Sequence, residues 1–361
     1  MIEEKTALIA MSGGVDSSVA AYLMLKDGYK CMGTTMRLYC SDDAETKVSN
    51  TCCSLEDIQD AMEVAFSLDM PYKLLDFTLD FEEKIIKKFV QIYEAGGTPN
   101  PCIDCNRYMK FRKLLDFAHE NHLKYMVTGH YARIEKNEST GRYELKKALD
   151  PSKDQSYVLY TMSQAELEHT KFPLGEMTKD DTRKLAEEQG LVTARKHDSQ
   201  DICFVPDGDY VRFMEEYRGK PYKEGDFLDQ DGNLLGKHRG AVRYTIGQRK
   251  GLGLAMGKPV YVFDKDMEKN TVSVGDEELL FSRELIAFDM NWISIPDLQE
   301  SIHVKAKTRY RQVEQPCVVM PLEDGKVKII FDEPQRGIAP GQAVVIYDGD
   351  VVVGGGTILS K

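Results

Sequence analysis

Seven residues near the start of the chain, Ser12-Gly13-Gly14-Val15-Asp16-Ser17-Ser18, have the composition of a phosphate-binding turn. Its glycines let the backbone turn sharply and approach a ligand. The hydroxyls of Ser12, Ser17 and Ser18 add donors, and the free N–H groups of a following helix attract an anion. No GK[ST] ending follows, so this is not the Walker loop that serves cleavage at a γ-phosphate. Asp16 alone would repel a phosphate, and its natural partner is a bridging Mg²⁺. The second chemical set is sulfur. Thr98-Pro-Asn-Pro-Cys102-Ile-Asp-Cys105-Asn106 joins two prolines to a C-x-x-C, and Cys203 follows within HDSQDICFV. Prolines stiffen the approach to Cys102 and withhold backbone donors. A C-x-x-C fits a redox pair, a zinc half-site or chance. Zinc would need a second ligand pair, and the sequence has neither another C-x-x-C nor an H-x-x-x-H.

The elements that must position these groups alternate. TALIAM (6–11) reads as a buried strand, and a helix runs from about Val15 to Lys26. CMGTTMRL (31–38) and PYKLLDF (71–77) are further strands. Between and after them lie helical patterns through Ile58, Ala61, Met62 and Ala65, and through Phe81, Ile85, Phe89 and Ile92. A helix through Phe111, Leu114, Leu115 and Ala118 leads into a strand over KYMVTGHYARI (124–134). This alternation predicts an α/β domain with a parallel sheet covered on both faces. EKNESTGRYE reads as a hairpin turn, and Thr178 with Asp181 as the cap of a helix that stops at Gly190. After about residue 206 short strand-like runs replace helices: VYVFD, TVSV, HVKAKTRYR, CVVMP, KVKIIF, AVVIYD and VVVGGGTIL. The expected organisation is a catalytic domain over 1–206, a small β-rich central domain over 207–280 and a C-terminal β-barrel over 281–361.

With 361 residues, 42% hydrophobic and 29% charged, the chain has room for two or three ordinary globular domains. It shows neither a secretory leader nor an apolar run of membrane-spanning length, so a cytoplasmic protein without a membrane role is expected. Eight cysteines in a reducing compartment do not imply a disulfide framework. Cys31 and Cys317 read as small buried hydrophobes. Cys40, Cys52 and Cys53 flank an acidic loop and are left outside the site.

A net charge of −12 argues against nucleic acid unless some face is locally basic. Two segments supply candidates. In His303-Val-Lys305-Ala-Lys307-Thr-Arg309-Tyr-Arg311 every odd position is basic, and in a strand all five would share one face. Lys237, His238, Arg239, Arg243, Arg249 and Lys250 form a second group, with Tyr244 and Tyr310 as stacking partners.

SGGVDSS resembles the PP-loop of ATP pyrophosphatases, which transfer AMP to a substrate oxygen and release pyrophosphate. Together with TPNPC-x-x-CN, TGHYAR (128–133), KDQSYVLY (153–160), DSQDICFV and YTIGQRKGLG (244–253), its order along the chain is similar to that of the tRNA-specific 2-thiouridylase family. The resemblance spans essentially the whole chain. It implies a PP-loop domain, a central domain and a β-barrel, and ATP-dependent exchange of the C2 oxygen of a tRNA wobble uridine for sulfur.

Carried over by position, it implies ATP contacts at Ala10, Met11, Ser12, Gly13, Gly14, Val15, Asp16, Ser17, Met36 and Gly129. Asn100, Pro101 and Cys102 would meet the target base. Lys153, Asp154, Gln155, Arg309 and Tyr310 would contact tRNA, with single contacts from His130 and Gln342. In the family's common scheme Cys203 carries a persulfide and Cys105 is its partner. Many members have Asp where this chain has Cys102. That departure favours a reading in which Cys102, Cys105 and Cys203 hold a [4Fe–4S] cluster with one iron open. The sulfur donor would be a persulfide carrier, a cysteine desulfurase or hydrosulfide. Another adenylating ligase and a non-catalytic RNA-binding or sulfur-carrier protein are the rival readings.

Overall fold

Ala7, Leu8 and Ile9 are fully buried in β1 (Thr6–Ala10), which therefore must have layers on both faces. Burying a side chain such as Leu8 or Ile9 is worth about 1.5–3 kcal/mol, so this run fixes the centre of the sheet. The computed structural model describes residues 5–39, 55–196, 202–205 and 207–361; the grouping of Cys40, Cys52 and Cys53 lies outside these.

From β1 the chain forms helix α1 (Val15–Lys26), then β2 (Lys30–Arg37), helix α2 (Leu55–Ser67), β3 (Tyr72–Asp76) and later β4 (Tyr125–Val127). A hairpin of β5 (Arg133–Lys136) and β6 (Tyr143–Lys146) follows, then the short β7 (Thr170–Lys171). The sheet order is β3-β2-β1-β4-β7, and every pairing is parallel. Successive strands step outward from β1 to β3, and β4 then returns to the other side of β1. The crevice beyond the carboxyl ends of β1 and β4 is thus a topological switch point, where open α/β sheets bind ligands.

The 124–134 segment is not one strand. β4 ends at Val127, and β5 starts at Arg133 in a different sheet, because residues 128–132 bend across the switch point. The hairpin turn forms as its sequence predicts, with the Asn137 carboxamide oxygen accepting from the Ser139 and Thr140 N–H groups. At the Lys179–Glu188 helix the Thr178 hydroxyl accepts from the Asp181 N–H at 3.1 Å, a cap worth about 1 kcal/mol.

The texture change after residue 206 hides a helix, Tyr210–Arg218, capped by Asp209 and closed by Gly219 in the left-handed region. The central sheet comprises β8 (Gly225–Leu228), β9 (Leu234–His238), β10 (Tyr261–Asp266) and β11 (Thr271–Gly275), in the order β10-β11-β8-β9. The last part contains β12 (Phe281–Trp292), β13 (Ile302–Lys307), β14 (Gln315–Pro321), β15 (Val327–Arg336), β16 (Ala343–Asp348) and β17 (Val351–Ser360). They run β12-β15-β14-β13-β16-β17, and β12 pairs back to β17, closing a six-stranded antiparallel barrel. Closure leaves no bare edge within the ring. The β5–β6 hairpin adds to the barrel through Val351 and Lys146.

The N-terminal sheet and the barrel are also joined through KDQSYVLY. Tyr157 is fully buried and donates to the Ala343 carbonyl at 2.8 Å, while the Ser156 and Tyr347 hydroxyls are 3.2 Å apart. Cys31 and Cys317 are buried, and burial pushes both thiols up to about 12. Neither is a nucleophile at neutral pH.

Candidate active site

The heptad occupies the turn between β1 and α1, at the switch point. β2 pins its base: the Met11 N–H donates to the Thr34 carbonyl at 2.8 Å, and the Thr35 hydroxyl donates to the Met11 carbonyl at 2.8 Å. The Ser12 N–H donates to the Ser17 hydroxyl at 3.2 Å, and the Ser17 and Ser18 hydroxyls donate to the Gly14 carbonyl. Gly13 has φ +71°, and a Cβ there would lie 2.2 Å from the Asp57 carbonyl oxygen. Across the crevice a Cβ on Gly129 would lie 2.7 Å from the Asp16 carbonyl carbon and the Ser17 nitrogen. The loops after β1 and β4 therefore touch backbone to backbone. Ala10 and Met36 complete the carboxyl ends of β1 and β2.

Asp16 sits in the first turn of α1, where a carboxylate suits the helix dipole. Its two oxygens accept from the Lys179 ammonium at 2.7 and 2.8 Å, and one also accepts from the Tyr131 hydroxyl at 2.9 Å. The carboxylate expected to meet Mg²⁺ is thus engaged by protein donors. Sequence reasoning assigned nothing to Lys179 or Tyr131. The only local signal was a lysine at the first position of a helix, where a cation is unfavourable.

Asn100 caps the Pro101–Asp104 helix, its side-chain oxygen accepting from the Cys102 N–H at 3.2 Å. The approach loop is tied to the barrel by the Thr98 N–H donating to the Pro340 carbonyl at 2.8 Å. Cys102 is exposed and Cys105 is buried. Cys203 is half-buried and packs against the apolar cluster that contains Cys105. Met36 packs against that same cluster, so the nucleotide crevice and the sulfur residues adjoin. Among the described residues no three His, Cys, Asp or Glu groups are gathered so as to hold a metal ion. Cys102, Cys105 and Cys203, expected as [4Fe–4S] ligands, therefore form no such group here, Cys102 being exposed and Cys105 buried.

The residues expected at tRNA fall into two kinds. Tyr310 keeps 39% of its surface exposed and meets Tyr157 edge-on at 6.0 Å. Burial raises its phenol pKa, and nearby Asp154 and Cys102 raise it further, so it stands beside the C-x-x-C. Arg309 donates to the Gly337 carbonyl at 2.7 Å; burial and neighbouring Arg336 lower its pKa. Lys153 and Gln342 are half-buried. By contrast, the Asp154 carboxylate accepts from the Ala148 and Ser156 N–H groups, and the Gln155 side-chain oxygen accepts from the Tyr131 N–H. Asp154 thus holds its own loop, and Gln155 ties that loop to the 128–132 segment.

His130 is buried beside Phe111 and Phe172, with Nδ1 2.6 Å from the Thr128 hydroxyl. Burial, then Lys110, holds its pKa well below the ordinary value. The unfolded chain therefore takes up a proton that the folded chain refuses, so stability is full above pH ~6.5 and falls as pH drops below it. Urea midpoints from pH 8 to 5 should show this decline, up to about 1.4 kcal/mol per pH unit. His130→Asn should flatten it, with a residue left by His238, whose pKa burial also lowers.

The basic stripe needs correction. β13 ends at Lys307, so Arg309 and Arg311 lie in the following turn and do not continue the alternation. Lys307 is only 6% exposed, 3.9 Å from Asp154 and over the Tyr157 and Tyr347 rings. In the second group Tyr244 and His238 are buried in the central core, while Arg239, Arg249 and Lys250 are exposed. The exposed basic points are therefore His303, Lys305 and Arg311 in the first segment and Lys237, Arg239, Arg249 and Lys250 in the second.

A family model described as the tRNA methyl transferase HUP domain matches residues 5–207. The tRNA methyl transferase PRC-barrel domain model matches 211–276, and the aminomethyltransferase β-barrel domain model matches 282–358. The class is thus a HUP-domain protein carrying two β modules. The chain is 51% identical to the tRNA-specific 2-thiouridylase MnmA of Acetivibrio thermocellus, covering 99% of this chain and 100% of that one. Its counterpart in Clostridioides difficile is 49% identical, with 99% of each chain covered, and one in a Thermoanaerobacter species is 50% identical over 100% of each. This chain belongs to the tRNA-specific 2-thiouridylase family.

Proposed function

We propose that the chain uses ATP to replace the C2 oxygen of a tRNA wobble uridine with sulfur. The observation that carries this reading is the phosphate loop at the switch point, adjoining through Met36 the cluster that holds Cys105 and Cys203. The loop N–H groups and hydroxyls bind the triphosphate and position the α-phosphate. The uridine C2 oxygen attacks it, pyrophosphate leaves, and the adenylated carbon gains AMP as a good leaving group. Mg²⁺ would arrive with the triphosphate.

Sulfur is carried as a persulfide on Cys203, loaded by a persulfide carrier, a cysteine desulfurase or hydrosulfide with an oxidant. The terminal sulfur attacks C2 and AMP departs. The Cys105 thiolate then attacks Sγ of Cys203, leaving sulfur on the base and a Cys105–Cys203 disulfide that an external thiol reduces. Two thiols are oxidised as one sulfane sulfur is reduced. Among the described residues Cys102, Cys105 and Cys203 are not gathered into a metal-holding group, which supports sulfur carried on thiols. Cys102 would meet the base with Asn100 and Pro101, a role that its exposure beside Tyr310 supports.

Pyrophosphate release from ATP, measured with and without tRNA carrying a wobble uridine, tests the reading. Release that depends on tRNA is expected. Release with a small carboxylic acid and no RNA would identify a ligase, and no release at all a binding or carrier protein.

A further inference from the structure

A lysine at the first position of a helix opposes the dipole, and a buried ammonium is costly unless paired. Lys179 has both liabilities. It opens the Lys179–Glu188 helix and is 7% exposed. The fold nonetheless fixes it firmly. Its N–H donates to the Asp150 carboxylate at 3.2 Å, and its Nζ lies 5.7 Å from the centre of the Tyr131 ring. Tyr131 bridges the two elements, its hydroxyl meeting both Asp16 and the fully buried Thr182 of the same helix. The ammonium so held contacts both oxygens of Asp16, the one formal negative charge in the phosphate loop.

We infer that Lys179 is a positioning residue that neutralises Asp16, so that the loop can accept the triphosphate of ATP. The inference rests on the ATP-using reading above. Without Lys179, the loop would present a carboxylate to an incoming polyanion. At ~6 Å and an effective dielectric of ~20, one unneutralised charge weakens phosphate binding by about 100-fold. With Lys179 in place the pair carries no net charge, and the N–H groups at the start of α1 set the potential that the phosphates meet. Three ammonium protons also let Lys179 keep one bond to Asp16 while turning another toward a phosphate oxygen.

The test is ATP affinity by calorimetry, with tRNA affinity and the melting temperature as controls for the fold. Lys179→Met should weaken ATP binding 30- to 100-fold and leave tRNA binding within about twofold. Lys179→Arg should stay near wild type. The decisive variant is the pair Lys179→Met with Asp16→Asn, which removes the uncompensated charge and should regain most of the lost affinity. A purely structural role would not give that recovery at an unchanged melting temperature. If Lys179→Met does not fold, Lys179→Gln and the pair carry the comparison. Lys179→Met within twofold of wild type for ATP, or a pair no tighter than Lys179→Met alone, overturns the inference while the ATP reading stands. A wild-type protein that binds no ATP removes the reading itself.

Discussion

Cys203→Ala is expected to stop thiolation, at least about 1,000-fold below wild type, while tRNA-dependent pyrophosphate release continues within a few-fold. The two steps draw on different residues. Adenylation needs the loop, Asp16 and the backbone contact at Gly129, whereas Cys203 packs against the apolar cluster that holds Cys105. Sulfur transfer needs a thiol that can carry a sulfane atom, and alanine has none. Cys203 lies at the edge of a cluster containing Phe81, Phe89 and Phe204, so the small substitution should leave that packing in place. Thiouridine would be read by mass spectrometry of digested tRNA, and pyrophosphate by a coupled assay. Cys105→Ala should differ in kind. It keeps the carrier thiol, so one turnover of persulfide-loaded enzyme stalls before sulfur is released. If Cys203→Ala still makes thiouridine at a tenth of the wild-type rate, Cys203 is not the carrier.

Legibility followed how local each cause was. The first strand and α1 were plain because a fully apolar run meets a glycine turn, and both signals lie within a dozen residues. The Thr178 cap and the Asn137 turn were equally local. β12 escaped because Arg283 and Glu284 interrupt its apolar pattern, and because Asp289 takes a left-handed conformation where the strand bulges against β17. The Tyr210–Arg218 helix escaped although Asp209 and Gly219 marked both of its ends, since the strand-like texture around it dominated. Period-two reasoning misled at residues 303–311, where β13 stops at Lys307 and domain packing buries that lysine. In the site, the loop and the C-x-x-C were visible, but the Asp16–Lys179 pair joins residues 163 apart in sequence. Only the fold brings them together.

Gly13→Ala should reduce ATP affinity about 100-fold or more and leave tRNA binding unchanged. Two independent penalties act at this position. An L-residue at φ +71° costs about 1–2 kcal/mol, since its Cβ crowds the neighbouring carbonyl. The added Cβ would also stand 2.2 Å from the Asp57 carbonyl oxygen and 2.7 Å from the Asp57 Cα. Those are backbone atoms of α2, which cannot swing aside as a side chain could. α2 is itself anchored by Ile58, Ala61, Val64 and Ala65 in the core, so the loop must give instead. A shift there moves the Ser12 N–H off Ser17 and turns the first N–H groups of α1 from the crevice. Since 1.4 kcal/mol is a factor of ten, the backbone term alone costs roughly tenfold, and the contact with α2 must supply the rest. Gly14→Ala separates the two causes. Gly14 has an extended backbone, and a Cβ there would meet only the Ser12 hydroxyl at 3.6 Å. That variant should bind ATP within a few-fold of wild type; equal losses at both positions would show that the loop needs flexibility in general and not the close approach to α2.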